Sequence, residues 1–248
     1  MMTSGIKASS TSKHLIAAAR ELSAQVSRLK FKPPVTHVYN PLDYAWSAHE
    51  EYLRRFGKER KHAIFLGMNP GPFGMSQTGV PFGEIAAVRD WMEIRATVGK
   101  PSSEHPKRLV QGFDCPRSEV SGRRLWGLFA ERFGTAEDFF EKHFVANYCP
   151  LAFLSASGSN LTPDKLSATE RERLFAICDA HLRRTLEILE PEWLIGVGDF
   201  TTKRGRMVVG QMKIKVGQIL HPSPASPAAN RGWAETVARQ LQEFGIPL

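Results

Sequence analysis

Four short apolar runs, separated by stretches long enough to hold helices, constrain the fold of this chain more than any other feature. They cover residues 62–67, 144–148, 193–198 and 214–220 of the 248-residue sequence. Short apolar runs bounded by polar or turn residues are typical of buried parallel strands, which carry helices on both faces. A crossover between parallel strands needs a dozen or more residues, and the intervening stretches satisfy that requirement. The pattern predicts an α/β fold, a three-layer α/β/α sandwich around a four-stranded parallel sheet.

Local signals place helices around this sheet. An amphipathic helix capped by the serines and threonine of residues 9–12 is expected within an N-terminal extension, residues 1–30, followed by a single domain over residues 31–248. Asn40 and Pro41 open a second helix that continues to Phe56. A capping box, Ser167 with Glu170, opens a helix that stops at Pro191, and a last helix is predicted from Pro227 to Phe244.

Composition narrows the class of protein. Hydrophobic residues make up 42% of the chain, enough for a full core, and the net charge of +8 is compatible with a nucleic-acid partner. No apolar run approaches the ~20 residues that cross a bilayer, so we expect no membrane contact. The three cysteines form no C-x-x-C pair, which argues against a disulfide scaffold or a four-cysteine metal site. With no signal-peptide pattern, an intracellular protein without a metal is expected.

Polar residues on stiff backbone follow three of the predicted strands. Ligands of parallel sheets bind outside the carboxyl ends of the strands. Asn69 follows the first strand, in a turn stiffened by Pro70 and Pro72, and either faces a ligand or bonds its own backbone. Asn147 ends the second strand and either reads an imide edge such as that of uracil or caps the strand. His221 follows the last strand and either serves as an acid, base or oxyanion donor or bonds a nearby carbonyl.

Two loop segments and the small basic clusters each have a functional and a purely structural interpretation. Phe82 lies between turn residues, so its ring either stacks on a ligand or fills the core beneath a loop. The polar segment 157–163 either contacts a phosphate backbone or is a solvated loop. Small basic clusters such as Arg123–Arg124 are interpreted mostly as solvated helix faces. The chain lacks complete G-x-G-x-x-G and G-x-x-x-x-G-K-S/T motifs, which argues against dinucleotide and nucleotide triphosphate chemistry.

Three segments taken together, 67–75, 77–84 and 221–224, resemble the single-strand-selective monofunctional uracil-DNA glycosylase family, within the uracil-DNA glycosylase superfamily. The resemblance covers roughly residues 40 to 245. It implies the predicted sandwich fold and a catalytic domain that flips a damaged nucleotide into a pocket at the strand ends. The implied reaction hydrolyses the N-glycosidic bond of uracil, and of 5-hydroxymethyluracil, in single- and double-stranded DNA. It leaves an abasic site in base excision repair and uses no cofactor.

The resemblance also implies roles for individual residues. Asn69 would orient the water that attacks the sugar, and His221 would stabilise the charge that develops on uracil O2. The base would be held by Met68, Gly71, Met75, Phe82 and Asn147. DNA would be contacted by Ser157, Gly158, Asn160, Ser223, Pro224, Ala225 and Arg231. No lysine falls at a matched catalytic position, so no Schiff-base lyase step is expected.

Gly71 and Ala225 are the two positions with consequences for substrate choice. Gly71 stands where other branches of the superfamily place a bulky side chain against pyrimidine C5, so we expect a gap holding ordered water there. A 5-hydroxymethyl group would take over that water's hydrogen bonds, whereas the methyl of thymine would not. Ala225 stands where vertebrate members carry an arginine that wedges into the duplex, so either the protein penetrates the duplex less strongly or Arg231 or the 157–171 loop substitutes. Ala146, where those members have a histidine, is a second departure of unassigned effect.

Two alternatives come from different classes of protein. One is a superfamily relative that acts on deaminated purines such as xanthine or hypoxanthine, and the other is a non-catalytic protein that binds damaged DNA. The expected partner of the glycosylase is DNA containing uracil or an oxidised pyrimidine, single- or double-stranded. We expect a monomer, in the cytoplasm or nucleoid of a bacterium or in the nucleus of a eukaryote.

Overall fold

The computed structural model describes residues 9–246 and Leu248, and the first eight residues of the expected N-terminal extension lie outside them. In that part of the chain the strands are β1 (Val35–Tyr39), β2 (Ala63–Gly67), β3 (His143–Asn147), β4 (Ala152–Ser155), β5 (Asn160–Leu161), β6 (Trp193–Val197) and β7 (Lys215–Ile219). The α-helices are α1 (Ser10–Val26), α2 (Pro41–Tyr44), α3 (Trp46–Phe56), α4 (Met75–Thr78), α5 (Val120–Phe133), α6 (Ala136–Lys142), α7 (Ala168–Leu189), α8 (Asp199–Val209) and α9 (Trp233–Glu243). None of the helices described combines the length and the hydropathy that a bilayer crossing requires.

The central sheet is parallel and four-stranded, with the order β3–β2–β6–β7. Its strands begin and end within one residue of the four predicted apolar runs, so the predicted sheet is confirmed. Ile64 of β2 lies opposite Phe144 of β3 on one side and Leu194 of β6 on the other. Every residue of β2 is buried because this strand has neighbours on both edges and helices on both faces.

Alternate residues of the sheet face opposite helix layers. Phe65 contacts Phe129 of α5, with ring centroids 5.0 Å apart, on the face that α6 and α9 also cover. Phe144 contacts Tyr52 of α3, with ring centroids 5.2 Å apart, on the opposite face. Helices α1, α7 and α8 complete this second layer, since α1 packs on α3 and α7, and α7 packs on α8. The predicted three-layer sandwich is therefore confirmed.

Helix α1 packs into the main hydrophobic core through one face. Its side chains Leu15, Ala19, Leu22 and Val26 are buried in the same cluster as the sheet residues. The helix begins as its polar start predicts, because the Ser9 side chain accepts a hydrogen bond from the Ser12 N–H.

A second sheet was not predicted. Strands β1, β4 and β5 form an antiparallel three-stranded sheet beside the main one. These strands are two to five residues long, and β1 is buried only at its two ends, so they lack the continuous apolar run that marks the central strands. Short, partly polar strands carry little local signal because their pairing depends on distant partners.

Two helix boundaries and one helix cap differ from prediction. The expected helix from Asn40 to Phe56 is two helices, because Ala45 takes a non-helical conformation between α2 and α3. The last helix begins at Trp233 rather than Pro227, since Gly232 has a φ of +98° and only a short 3₁₀ turn precedes it. At the start of α7, the Ser167 hydroxyl donates to the Glu170 carboxylate at 2.6 Å and does not cap the helix backbone.

Candidate active site

The ends of β2 and β3 bring three predicted base-binding side chains around one glycine. Gly67 lies directly opposite Asn147 in the parallel register. A Cβ at Gly67 would overlap both the Asn147 amide oxygen and the Phe82 ring, so only glycine allows these two groups to converge here. The Asn147 amide Nδ2 donates to the sulfur of Met75 at 3.2 Å. A carboxamide, an aromatic face and a thioether therefore border the same point at the sheet edge.

The amide of Asn69 is held in one orientation by the strand-end loop that follows β3. Its Nδ2 donates to the Leu151 carbonyl at 3.2 Å, rather than to its own turn. The preceding Met68 carbonyl accepts a hydrogen bond from the Cys149 N–H at 2.9 Å. Because both bonds run to residues 149–151, the loop after β2 is fastened to the loop after β3. The Asn69 Oδ1 is left as the acceptor end of a fixed amide.

His221 lies across the sheet edge from Asn69 with its ring oriented by its own loop. The Nδ1 atom accepts a hydrogen bond from the Ser223 N–H at 3.1 Å, so in the neutral ring the proton is on Nε2. Burial lowers the pKa of His221 below its ordinary value, which favours that neutral ring. Strand β6 separates β2 from β7, so the two strand ends lie about 10 Å apart at a spacing of ~4.8 Å per strand.

Phe82 is strained and firmly held. Its φ of +52° is in the left-handed region, which bulky residues rarely adopt and which strained functional positions often show. The Phe82 carbonyl accepts a hydrogen bond from the Trp126 indole N–H at 3.0 Å, and the side chain is buried in the core cluster. Both sequence interpretations therefore describe part of its environment: the ring packs in the core, and its edge contacts the strand-end pocket at Gly67.

Arg124 of α5 and Glu119 at the N-cap of this helix also reach the edge. Neither residue was assigned a role at the site from the sequence. Arg124, interpreted as a solvated helix residue, donates to the Pro222 carbonyl at 3.0 Å and to the Asn230 side chain at 2.8 Å. Glu119 occupies the N-cap position of α5 without a side-chain capping hydrogen bond, and its carboxyl occupies the space beside both Gly71 and Gly74. The gap expected beside Gly71 is therefore filled by a carboxyl group. In the sequence, Glu119 was marked only by its place within residues 40–245, the span of the resemblance to the glycosylase family.

The predicted DNA-contact residues fall on two separate loops. Ser157, Gly158 and Asn160 belong to the β4–β5 hairpin, where Gly158 has a φ of +81° and packs against the His105 ring. This hairpin begins just after Leu151, the partner of Asn69. The remaining residues, Ser223, Pro224, Ala225 and Arg231, follow His221, and the last three are exposed.

The loop after β2 also carries a cationic rim. The guanidinium groups of Arg117 and Arg108 lie 3.9 Å and 5.4 Å from the centroid of the Phe73 ring. Arg117 is exposed, and both cations lie close to the segment that positions Asn69. Positive charge at this edge favours the approach of a phosphate backbone.

A small cavity lies behind Asn147, between the strand-end site and helix α1. It has a volume of about 40 Å³ and extends from Met75 and Asn147 to Leu15 and Leu22 of α1. This volume is far below the roughly 300 Å³ at which small-molecule pockets begin. The candidate base site is therefore the strand edge that Phe82 borders, and not this cavity.

Comparisons with known proteins identify the family and the fold of this chain. The model of the uracil DNA glycosylase superfamily matches residues 54–242. The single-strand selective monofunctional uracil-DNA glycosylase of Rattus norvegicus is 49% identical over 227 residues, covering 91% of this chain and 82% of the rat protein. Its Mus musculus counterpart is 48% identical over 227 residues, covering 91% and 81%. The crystal structure of wild-type SMUG2 from Pedobacter heparinus shares the fold, with a TM-score of 0.70 and 18% identity over 95% of this chain and 97% of that one.

Proposed function

This chain belongs to the uracil-DNA glycosylase superfamily and is a monofunctional uracil-DNA glycosylase of DNA repair, and we propose that Asn69 and His221 perform the two halves of its reaction. The observation that carries this proposal is the fixed orientation of both side chains at the carboxyl edge of the sheet. One presents an acceptor and the other a donor, which are the two groups that hydrolysis of an N-glycosidic bond requires.

His221 stabilises the departing base. As the bond between C1′ and N1 breaks, its electron pair moves onto the uracil ring and charge develops on O2. The Nε2–H of a neutral imidazole, fixed by the Ser223 N–H on the opposite nitrogen, donates to that oxygen. A neutral donor suits this step because the lowered pKa of His221 keeps the ring uncharged near neutral pH.

Asn69 positions the attacking water. With Nδ2 bonded to the Leu151 carbonyl, Oδ1 accepts a hydrogen bond from the water and directs the water oxygen toward C1′. An amide removes no proton, so the proton lost by the water ends on the uracil that departs as an anion. The products are free uracil and an abasic sugar with a hydroxyl at C1′.

Base choice rests on Asn147, Phe82 and the loop that holds them. The Asn147 amide matches the O4 acceptor and the N3–H donor of uracil. Its present partner, the Met75 sulfur, is a weak acceptor that a base oxygen replaces favourably. Phe82 stacks on the flipped ring, and the backbones of Met68 and Gly71 border it. The substrates proposed are uracil and 5-hydroxymethyluracil.

Substrate DNA binds to the two loops on either side of the site. The β4–β5 hairpin offers the hydroxyl of Ser157 and the amide of Asn160 to phosphates, and Gly158, whose N–H donates to the Ser155 carbonyl, forms the turn between them. The loop after His221 offers Ser223, Pro224 and Ala225, with Arg231 supplying the cation that Ala225 lacks. We propose that the protein acts as a monomer, inside the cell, on both single- and double-stranded DNA.

The test is base release from an oligonucleotide carrying one uracil, single- or double-stranded, in EDTA, with alkali added to half of each sample. Wild type is compared with Asn69→Ala and His221→Leu. Strand breaks that form only after alkali, and that both variants largely lose, are the expected result. Release that persists in both variants contradicts the assignment of Asn69 and His221, and breaks without alkali contradict a reaction that stops at the abasic site.

A further inference from the structure

The Glu119 carboxyl lies beside the candidate active site but takes no part in the proposed hydrolysis of the glycosidic bond. A Cβ built at Gly71 or at Gly74 would overlap this carboxyl, so both glycines are needed to admit it. Part of the residue is exposed, but its Oε2 atom is buried and has no hydrogen-bond partner among the described residues. A buried carboxyl oxygen without a partner is costly and indicates a ligand or water that supplies one.

The surroundings of Glu119 place its carboxyl at the border of the base site. Gly74 precedes Met75, whose sulfur contacts the Asn147 amide. One turn along α5, Gly122 packs against the Phe82 carbonyl, so the start of this helix lies against the Phe82 loop. The carboxyl is therefore enclosed between the loop that carries Asn69 and the loop that carries Phe82.

The protonation of Glu119 gives it both hydrogen-bonding roles. Burial, with the nearby Glu84 carboxylate as a second cause, raises the pKa of Glu119 to about 7. Near neutral pH the group is thus populated both as a carboxylate, which only accepts, and as a carboxylic acid, which also donates. A hydroxyl bonds to either form because it is donor and acceptor at once.

We propose that Glu119 is a specificity-determining residue that contacts the C5 substituent of the flipped pyrimidine and selects hydroxymethyl over methyl. This inference rests on the proposed function, since it places the base between Phe82 and the loop at Gly71. A 5-hydroxymethyl group gives the buried oxygen a partner. The methyl of thymine displaces water from the carboxyl and replaces none of its bonds, which is the situation in which a polar site rejects an apolar analogue most strongly.

The experiment measures kcat/KM for base release from three oligonucleotides that differ only in carrying uracil, 5-hydroxymethyluracil or thymine. Wild type is compared with Glu119→Leu, which fills the space without hydrogen bonding, and with Glu119→Gln, which keeps a donor and an acceptor. Glu131→Leu, an exposed position on the same helix, is the matched control.

Wild type is expected to prefer 5-hydroxymethyluracil to thymine by at least a hundredfold. Glu119→Leu is expected to lower the ratio of 5-hydroxymethyluracil to uracil activity by about tenfold or more, the range for a hydrogen bond to a charged or acidic group. Glu119→Gln is expected to keep that ratio within about threefold of wild type, and Glu131→Leu to leave it unchanged.

Several outcomes overturn the proposal. If Glu119→Leu lowers release of uracil and 5-hydroxymethyluracil equally, the residue is structural, and an unchanged ratio excludes the contact. If Glu119→Leu does not fold, Glu119→Ala takes its place, and an unchanged ratio of 5-hydroxymethyluracil to uracil activity in that variant overturns the proposal. Wild type that releases uracil but not 5-hydroxymethyluracil removes this inference and leaves the proposed function intact, whereas wild type that releases no uracil contradicts the proposed function itself.

Discussion

The two loops that present the catalytic candidates are fastened in different ways. The loop after β2 is joined to the neighbouring strand end by the bond from the Cys149 N–H to the Met68 carbonyl and by the Asn69 amide itself. The loop after β7 is held by a side chain from outside the sheet, since Arg124 bonds the Pro222 carbonyl and the Asn230 amide. Asn230 in turn donates to the Pro224 carbonyl at 2.9 Å.

Because the two loops are fastened differently, substitutions are expected to affect them differently. A backbone bond between strand ends survives most substitutions because every residue except proline carries the same groups. The loop after β7 is held by several side chains, since the Trp233 indole also donates to the Leu220 carbonyl at 2.8 Å, and it depends on those particular residues rather than on the backbone of the sheet. We therefore expect the backbone bonds to hold the Asn69 loop in place, so that activity there is lost when Asn69 itself is changed. Activity at the His221 loop should also be lost when a distant side chain such as Arg124 is changed.

Replacing His221 by leucine is expected to have the largest effect. It removes the donor to uracil O2, and loss of one such donor lowers kcat by roughly 10²–10³-fold. Single-turnover release of uracil measures the chemical step directly. His14→Leu, at an exposed histidine of α1, is the control and should keep full activity. A loss below about tenfold in His221→Leu would place the oxyanion donor elsewhere.

Asn69→Ala is expected to lower kcat by about 10²-fold, because a misplaced nucleophile typically loses that much. Asn69→Asp should lose a similar factor, since a carboxylate cannot donate to the Leu151 carbonyl. Melting temperature within a few degrees of wild type would show that the backbone bonds hold the loop without the amide. If Asn69→Asp retained near wild-type turnover, the water would not be positioned by a fixed amide.

Arg124→Ala tests whether the His221 loop depends on one distant side chain. We expect about a tenfold lower kcat, with little change in KM, because Arg124 acts through His221 and touches no substrate. Arg123→Ala, its exposed neighbour on α5, is the matched control and should leave kcat unchanged. The double variant Arg124→Ala with His221→Leu should be no slower than His221→Leu alone. Additive losses would contradict a positioning role.

The smallest expected effect is a decrease in kcat at low pH. The pKa of His221 is lowered by burial, so the ring is neutral from pH 7 to 8 and kcat should be flat there. As pH falls below the usual histidine range, protonation of Nδ1 breaks the bond to the Ser223 N–H and activity should decline. The residual activity of His221→Leu should lack this decline. An equal decline in that variant would assign the titration to another group.

Sequence patterns predicted much of this site because its parts follow strand ends. Asn69, Asn147 and His221 were identified from their places after apolar runs, and the structure brings all three to one edge of the sheet. Glu119 and Arg124 were not assigned roles, because their partners lie in other elements and no periodicity marks them. The space beside Gly71 was expected to be open because no local pattern shows that the Glu119 carboxyl enters it.

What the sequence determined by itself was the parallel sheet, its main helices and the sheet edge that carries the candidate catalytic residues, since burial patterns are local and repeat with the period of each element. Only the tertiary structure decided the antiparallel sheet of β1, β4 and β5, the carboxyl beside Gly71 and the guanidinium behind His221. Hydrogen bonds between residues distant in the chain depend on how whole elements pack. No local pattern of hydrophobic and polar residues encodes that choice of partner.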